Sequence, residues 1–235
     1  RGYYISCKSK FRQAYGWQRN GGMAQYILAD EKDLIALPDE LTYKDGAQVA
    51  CGFGTVYEAI EKVGVSGNDA VLVTGLGPVG LATLMLAKAL GANMLIGVET
   101  NPYRIELAKK MGLADYVFAP DEAYDQIMKV TNGKGVERAF DASASDPGRQ
   151  LAFVGEGGTC TFNPSPDIIH GQKTIYGSWV TSLWRMEELV ERLVRWGIHP
   201  EDLITDEFPL EQAGEAYRLM ASGNCGKVAV VFPED

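Results

Sequence analysis

Residues 70–80 constrain the fold more than any other stretch of the chain. Ala70-Val-Leu-Val-Thr74 is an unbroken β-prone run of the kind buried on both faces of a parallel sheet. Gly75-Leu-Gly-Pro-Val-Gly80 follows without a gap, and Leu81–Leu90 continues as an apolar helix that Gly91 ends. Strand, glycine turn and helix in that order form the opening unit of a dinucleotide-binding sheet. Gly75 permits the tight turn, Gly77 has no Cβ and lets a pyrophosphate approach the backbone, and Gly80 lets helix and strand pack closely. The phosphates then lie at the positive end of the helix. Pro78 has no N–H and only pre-sets the first turn, so the donor is Val79 or a neighbour.

The same alternation continues downstream. Strands are expected at 94–98, 116–118, 138–141, 158–162 and 174–177, with helices at 102–111 and 122–131 between them. Strand and helix alternating in this way predict an α/β Rossmann fold, a doubly wound parallel six-stranded sheet. Glu99 ends the second strand, 19 residues after Gly80. A carboxylate there can accept both ribose hydroxyls of an adenosine and repels a 2′-phosphate, which favours NAD over NADP. Arg104, in the first turns of the next helix, can pair with Glu99 or reach the ribose.

The flanks are less sharply patterned. Residues 1–20 carry no period, 21–29 suit a strand, and Thr42 caps a helix running to Val63 that Cys51-Gly-Phe-Gly54 interrupts. Two amphipathic helices, 186–196 and 211–221, precede a terminal strand at 227–232.

Composition removes several function classes. The net charge of −9, with no run of Lys or Arg longer than two, argues against nucleic acid and anionic membranes as partners. No apolar run is long enough to span a membrane. The four cysteines lie far apart, as reduced thiols of a cytoplasmic protein or metal ligands do, not as a disulfide scaffold does.

Six motifs together carry a resemblance that covers nearly the whole chain. They are Gly21-Gly-Met-Ala-Gln-Tyr26, Cys51-Gly-Phe-Gly-Thr55, the Gly75–Gly80 turn, Val98-Glu-Thr-Asn-Pro-Tyr-Arg104, Leu203-Ile-Thr-Asp-Glu-Phe-Pro-Leu210 and Gly226-Lys227-Val228. In these the chain resembles the zinc-dependent medium-chain dehydrogenases, which act on alcohols, sorbitol or threonine. The resemblance implies a remnant of a β-rich GroES-like catalytic domain at 1–50 and an NAD-binding Rossmann domain at 51–180. Residues 181–235 then return towards the catalytic domain. Most of the catalytic domain, with its other zinc ligands and proton relay, is expected upstream of Arg1.

Residue by residue, the resemblance puts Cys51 at a catalytic zinc position and Cys7 at a structural zinc position whose site is incomplete. It puts Thr55 beside the nicotinamide, Lys227 on the pyrophosphate, and Ser143, Asn163 and Ser178 around the nicotinamide ribose or carboxamide. Cys160 reads as core, while His170 and His199 read as surface or capping residues. Trp179 and Trp184 read as core or subunit contacts. The implied activity is a zinc- and NAD-dependent alcohol or polyol dehydrogenase, a homodimer or homotetramer joined through strand six. The alternatives are an NAD-binding and assembly module without catalysis, which the missing ligands favour for this chain by itself, and a zinc-free quinone or enoyl reductase, against which Cys51 argues.

Overall fold

The computed structural model describes residues 7–143, 152–157 and 159–233. They divide into two units: the described residues up to Gly54 together with those from Val180 onward, and Thr55–Trp179.

The second unit holds the six-stranded sheet. Its strands are β1 (Ala70–Thr74), β2 (Met94–Val98), β3 (Tyr116–Phe118), β4 (Arg138–Asp141), β5 (Ala152–Phe153) and β6 (Tyr176–Gly177). Every neighbouring pair is parallel, in the order β3-β2-β1-β4-β5-β6. The order reverses between β1 and β4, which opens a crevice at the carboxyl ends of those strands. Helix α2 (Gly54–Val63) leads into β1, while α3 (Pro78–Ala89), α4 (Pro102–Met111) and α5 (Pro120–Val130) connect the first four strands. Each of these three helices begins with proline, which loses no hydrogen bond at that position. Val71, Val73, Leu81, Leu84, Ile96 and Phe140 are fully buried and form the core between sheet and helices.

The first unit is built from both ends of its sequence range. Thr42 caps α1 (Tyr43–Gln48) in a reciprocal box with Asp45. Residues Val49–Phe53 continue as a π-helical turn, so the interruption expected at Cys51–Gly54 is a local widening of a continuous helix. From the other end come α6 (Leu183–Trp196), β7 (Ile204–Pro209), α7 (Ala213–Ser222) and β8 (Lys227–Val231). β7 and β8 form a parallel pair of their own. Leu189 and Leu193 of α6, with Val49 and Phe53, are buried here.

Three expectations need correction. Residues 21–29 form no strand among the described residues, and Tyr26 is 90% exposed; a strand without a partner has nothing to hold it extended. The fifth strand lies at Ala152–Phe153 and not at 158–162, because the segment after β4 returns to the sheet earlier than the pattern suggested. Gly158 falls outside the described residues, and Cys160, read as core of that strand, is half-buried in irregular structure. Arg104 makes no ion pair with Glu99: its guanidinium lies over Gly77 and all of the Glu99 hydrogen bonds come from elsewhere.

Candidate cofactor site

The Gly75–Gly80 turn sits where three strand ends meet. Gly75 has φ +81°, and its N–H donates to the Val98 carbonyl at 2.8 Å. A Cβ at Gly75 would lie 2.6 Å from the Ser143 Cα, and one at Gly80 would lie 1.8 Å from the Gly75 carbonyl oxygen. Only glycine fits at either position, the first for φ as well as space. Gly77 caps α3 without any side-chain hydrogen bond. The free N–H groups of that first turn therefore point outward at the positive end of a 12-residue helix.

Two buried carboxylates fix the turn from either side. Glu99, 6% exposed, accepts from the Leu76 N–H at 2.7 Å with Oε2. Its Oε1 accepts from the Thr100 N–H at 2.7 Å, the Thr100 hydroxyl at 3.1 Å and the Asn101 N–H at 2.9 Å. Glu99 thus ties the middle of the glycine turn to the end of β2. Asp141, 2% exposed, ties the end of β1, just before the turn, to the end of β4. Its Oδ1 accepts from the Thr74 hydroxyl at 2.9 Å and from the Ser143 N–H and hydroxyl at 3.1 and 2.5 Å. Asp141 escaped the sequence reading, although an acidic residue ending an apolar strand next to the switch point was the available signal.

Arg104 completes the rim. Its Nη1 is 3.4 Å from the place a Gly77 Cβ would occupy, and its Nε is buried with no hydrogen-bond partner. A guanidinium held over an uncapped helix start fits a phosphate-bearing ligand on both counts. Ser178 is buried, donates its N–H to the Phe153 carbonyl at 3.0 Å and accepts from Lys62 Nζ at 3.4 Å. Thr55 is half-buried in α2, and Asn163 is exposed with its N–H on the Asp167 carboxylate at 2.9 Å. All of these lie in the sheet unit, together with Pro78 and Val79.

Cys7, Cys51 and Lys227 lie in the other unit. Cys51 is exposed on the π-helical turn, and Cys7 is exposed as well. A protein zinc site takes three or four converging ligands. The one such convergence among the described residues is Asp45, His199 and Glu201, which includes neither cysteine. Its acceptors are already engaged. Asp45 takes the Glu201 N–H at 2.8 Å, the Thr42 N–H at 3.0 Å and His199 Nδ1 at 2.9 Å, and Glu201 takes the Thr42 hydroxyl at 2.8 Å. This is a capping cluster in which the sequence shows Thr42 as the cap and His199 as a surface or capping residue, but not their meeting with Asp45 and Glu201, because Asp45 and its partners His199 and Glu201 are about 155 residues apart in the chain. The residues described here do not supply a zinc site around Cys51 or Cys7.

Burial alone would push the Asp45 carboxyl up, but the hydrogen bonds from Glu201, His199 and Thr42 outweigh it and hold the pKa below 3.8. The hydrogen bond to Asp45 raises His199 above 6.5, and the charges of Asp45, Asp202 and Glu201 add to it against a smaller opposing effect of burial.

Sheet order, reversal point and glycine turn define the central unit as a Rossmann unit of the dehydrogenase type. The chain belongs to the zinc-binding dehydrogenase family, whose model matches residues 78–195. It is 48% identical to the uncharacterized zinc-type alcohol dehydrogenase-like protein YphC of Escherichia coli K12, over all of this chain and 70% of that protein. It is 29% identical to the D-arabitol-phosphate dehydrogenase of Enterococcus avium, over 95% of this chain and 69% of the relative. The fold matches the crystal structure of the alcohol dehydrogenase RspB of E. coli CFT073, complexed with NADH, with a TM-score of 0.81 at 20% identity. That match covers 94% of this chain and 68% of that one. The chain thus spans roughly two thirds of the length of the relatives it matches.

Proposed function

We propose that this chain binds a nicotinamide dinucleotide, NAD(H) in preference to NADP(H), and serves hydride transfer at the hydroxyl-bearing carbon of an alcohol or polyol. The observation that carries this reading is the uncapped start of α3 between the buried Glu99 and the Arg104 guanidinium. The Val79 and Gly80 N–H groups and Arg104 hold the pyrophosphate. Glu99 Oε2 accepts one protein hydrogen bond and has acceptor capacity left for a ribose hydroxyl. A 2′-phosphate near that carboxylate costs about 1–3 kcal/mol, a roughly ten- to hundred-fold preference for NAD(H). Thr55, Ser143, Asn163 and Ser178 orient the nicotinamide end. The nicotinamide itself supplies the hydride chemistry when bound.

Titration calorimetry with NADH and NADPH tests the cofactor assignment. Equal affinities would remove Glu99 from the ribose site, and no heat with either would remove the site itself. A second reading follows from Cys51, on which no other ligand among the described residues converges: this chain holds cofactor without zinc-dependent turnover. Assays of NADH formation over a panel of alcohols and polyols, with and without zinc, separate the two. Zinc-stimulated turnover would defeat the second reading.

A further inference from the structure

The six-stranded sheet is unevenly covered. The connections from β1 to β2, β2 to β3 and β3 to β4 span residues 75–93, 99–115 and 119–137, and they lay helices of 12, 10 and 11 residues on the sheet. β4 and β5 are also parallel neighbours, yet residues 142–151 are all that joins them. A parallel connection takes about a dozen residues or more, and this one, most of it outside the described residues, has only ten, against 17 to 19 in the other three. The alignment with YphC spans 246 positions against the 235 residues of this chain, a difference of 11 that the relative fills and this chain does not.

A groove of about 1040 Å³ opens beside α5 within the sheet unit. Leu72 and Ala139 of β1 and β4 line it, as do Ile127 and Met128 of α5. Leu72 is in the middle of β1 with strands hydrogen-bonded on both sides, and it is only half-buried, whereas Val71 and Val73 on the opposite face are fully buried. α5 repeats the pattern: Ala123 is its one buried residue. Lys134 and Lys173 stand at the rim. Their ammonium groups make no ion pair or hydrogen bond with described residues, on a chain that is otherwise strongly acidic.

We propose that this groove docks an amphipathic helix of about three turns from another polypeptide, apolar stripe down and acidic flank towards Lys134 and Lys173. A helix of about 11 residues is roughly 16 Å long, and a groove with an apolar floor and charged rim reads such a segment through residues spaced i, i+3, i+4 and i+7. The two rim lysines select the sign of its flank.

The test uses three fluorescent synthetic peptides with one leucine stripe at that spacing: one flanked by Glu, one by Lys, and one Glu-flanked with a central proline. Anisotropy against the full chain should show saturable binding of the Glu-flanked peptide. The Lys-flanked peptide should bind roughly tenfold more weakly, and the proline peptide should not bind. Ile127→Glu should abolish binding, and Lys134→Glu with Lys173→Glu should reverse the preference, with circular dichroism showing that both variants stay folded. Equal affinity for both flanks, no binding at all, or binding untouched by Ile127→Glu overturns the proposal. Light scattering that finds a dimer abolished by Ile127→Glu also overturns it, because the groove is then filled by a second copy.

Discussion

Replacing Gly80 by alanine would put a methyl carbon 1.8 Å from the Gly75 carbonyl oxygen, a backbone atom with nowhere to go. The turn or α3 must move, at a cost of about 1–3 kcal/mol for an overpacked site. Denaturant unfolding should show that loss, and NADH binding should fall with it; an unchanged midpoint would mean that the turn yields freely. Glu99→Gln is the matching electrostatic change. Its oxygen replaces only one of two acceptors, and its NH2 group is left facing an N–H donor in a buried site. An unsatisfied buried group costs about 1–3 kcal/mol. The variant should also lose its discrimination between NADH and NADPH, which titration calorimetry reads directly. Position 99 was legible from spacing alone. That three of its four donors are backbone N–H groups was not, because a backbone N–H carries no letter in the sequence.

At the scale of elements, the capping cluster at the start of α1 makes stability depend on pH in two windows. His199 has a folded-state pKa raised above 6.5, so its contribution is complete below that value and is lost as pH rises through the higher folded pKa. Asp45 has its pKa lowered, so its contribution is present above 3.8 and is lost as pH falls through the lower folded value. The charged groups acting on His199 are Asp45, Asp202 and Glu201. Melting temperature should therefore drop as pH rises past 6.5 in the native chain, and the drop should shrink in His199→Gln. An equal slope in both would show that other groups set it. Thr42→Ala, which removes the cap to the Asp45 N–H, should cost about 1 kcal/mol on either side of that pH. Elements held by local pattern were the ones readable in advance, β1 with its glycine turn above all. β5 was placed several residues late because its connection is unusually short. β7 was not foreseen, since its partner β8 lies beyond α7 and a parallel pair leaves no turn signature between its strands.

For the whole molecule, β6 is an edge of the sheet, at Tyr176–Gly177. Among the described residues no strand pairs with its outer side; such an edge invites a twin, and we propose a dimer through β6. Light scattering giving 25.6 kDa at tens of micromolar would refute it. NADH at a hundred times its Kd should stabilise the unit Thr55–Trp179 by about 2.7 kcal/mol. Hydrogen exchange should slow most at Leu76, Val79 and Gly80; protection spread evenly over the chain would place the ligand elsewhere. Among the described residues, no helix is long and apolar enough to cross a membrane.

The division of the chain also has a consequence in time. The sheet unit is one continuous stretch, Thr55–Trp179, whereas the other unit needs both an earlier and a later segment. Asp45 and His199 are 154 residues apart, and a ribosome adding ~5–20 residues per second takes about 8–30 s to travel from one to the other. During that interval the sheet can close on itself, while Thr42 and Asp45 cap each other but have no Glu201 or His199 to meet. The sheet unit can thus be folded before Asp45 and His199 meet, and until then the half-made capping cluster is what a chaperone or protease finds open.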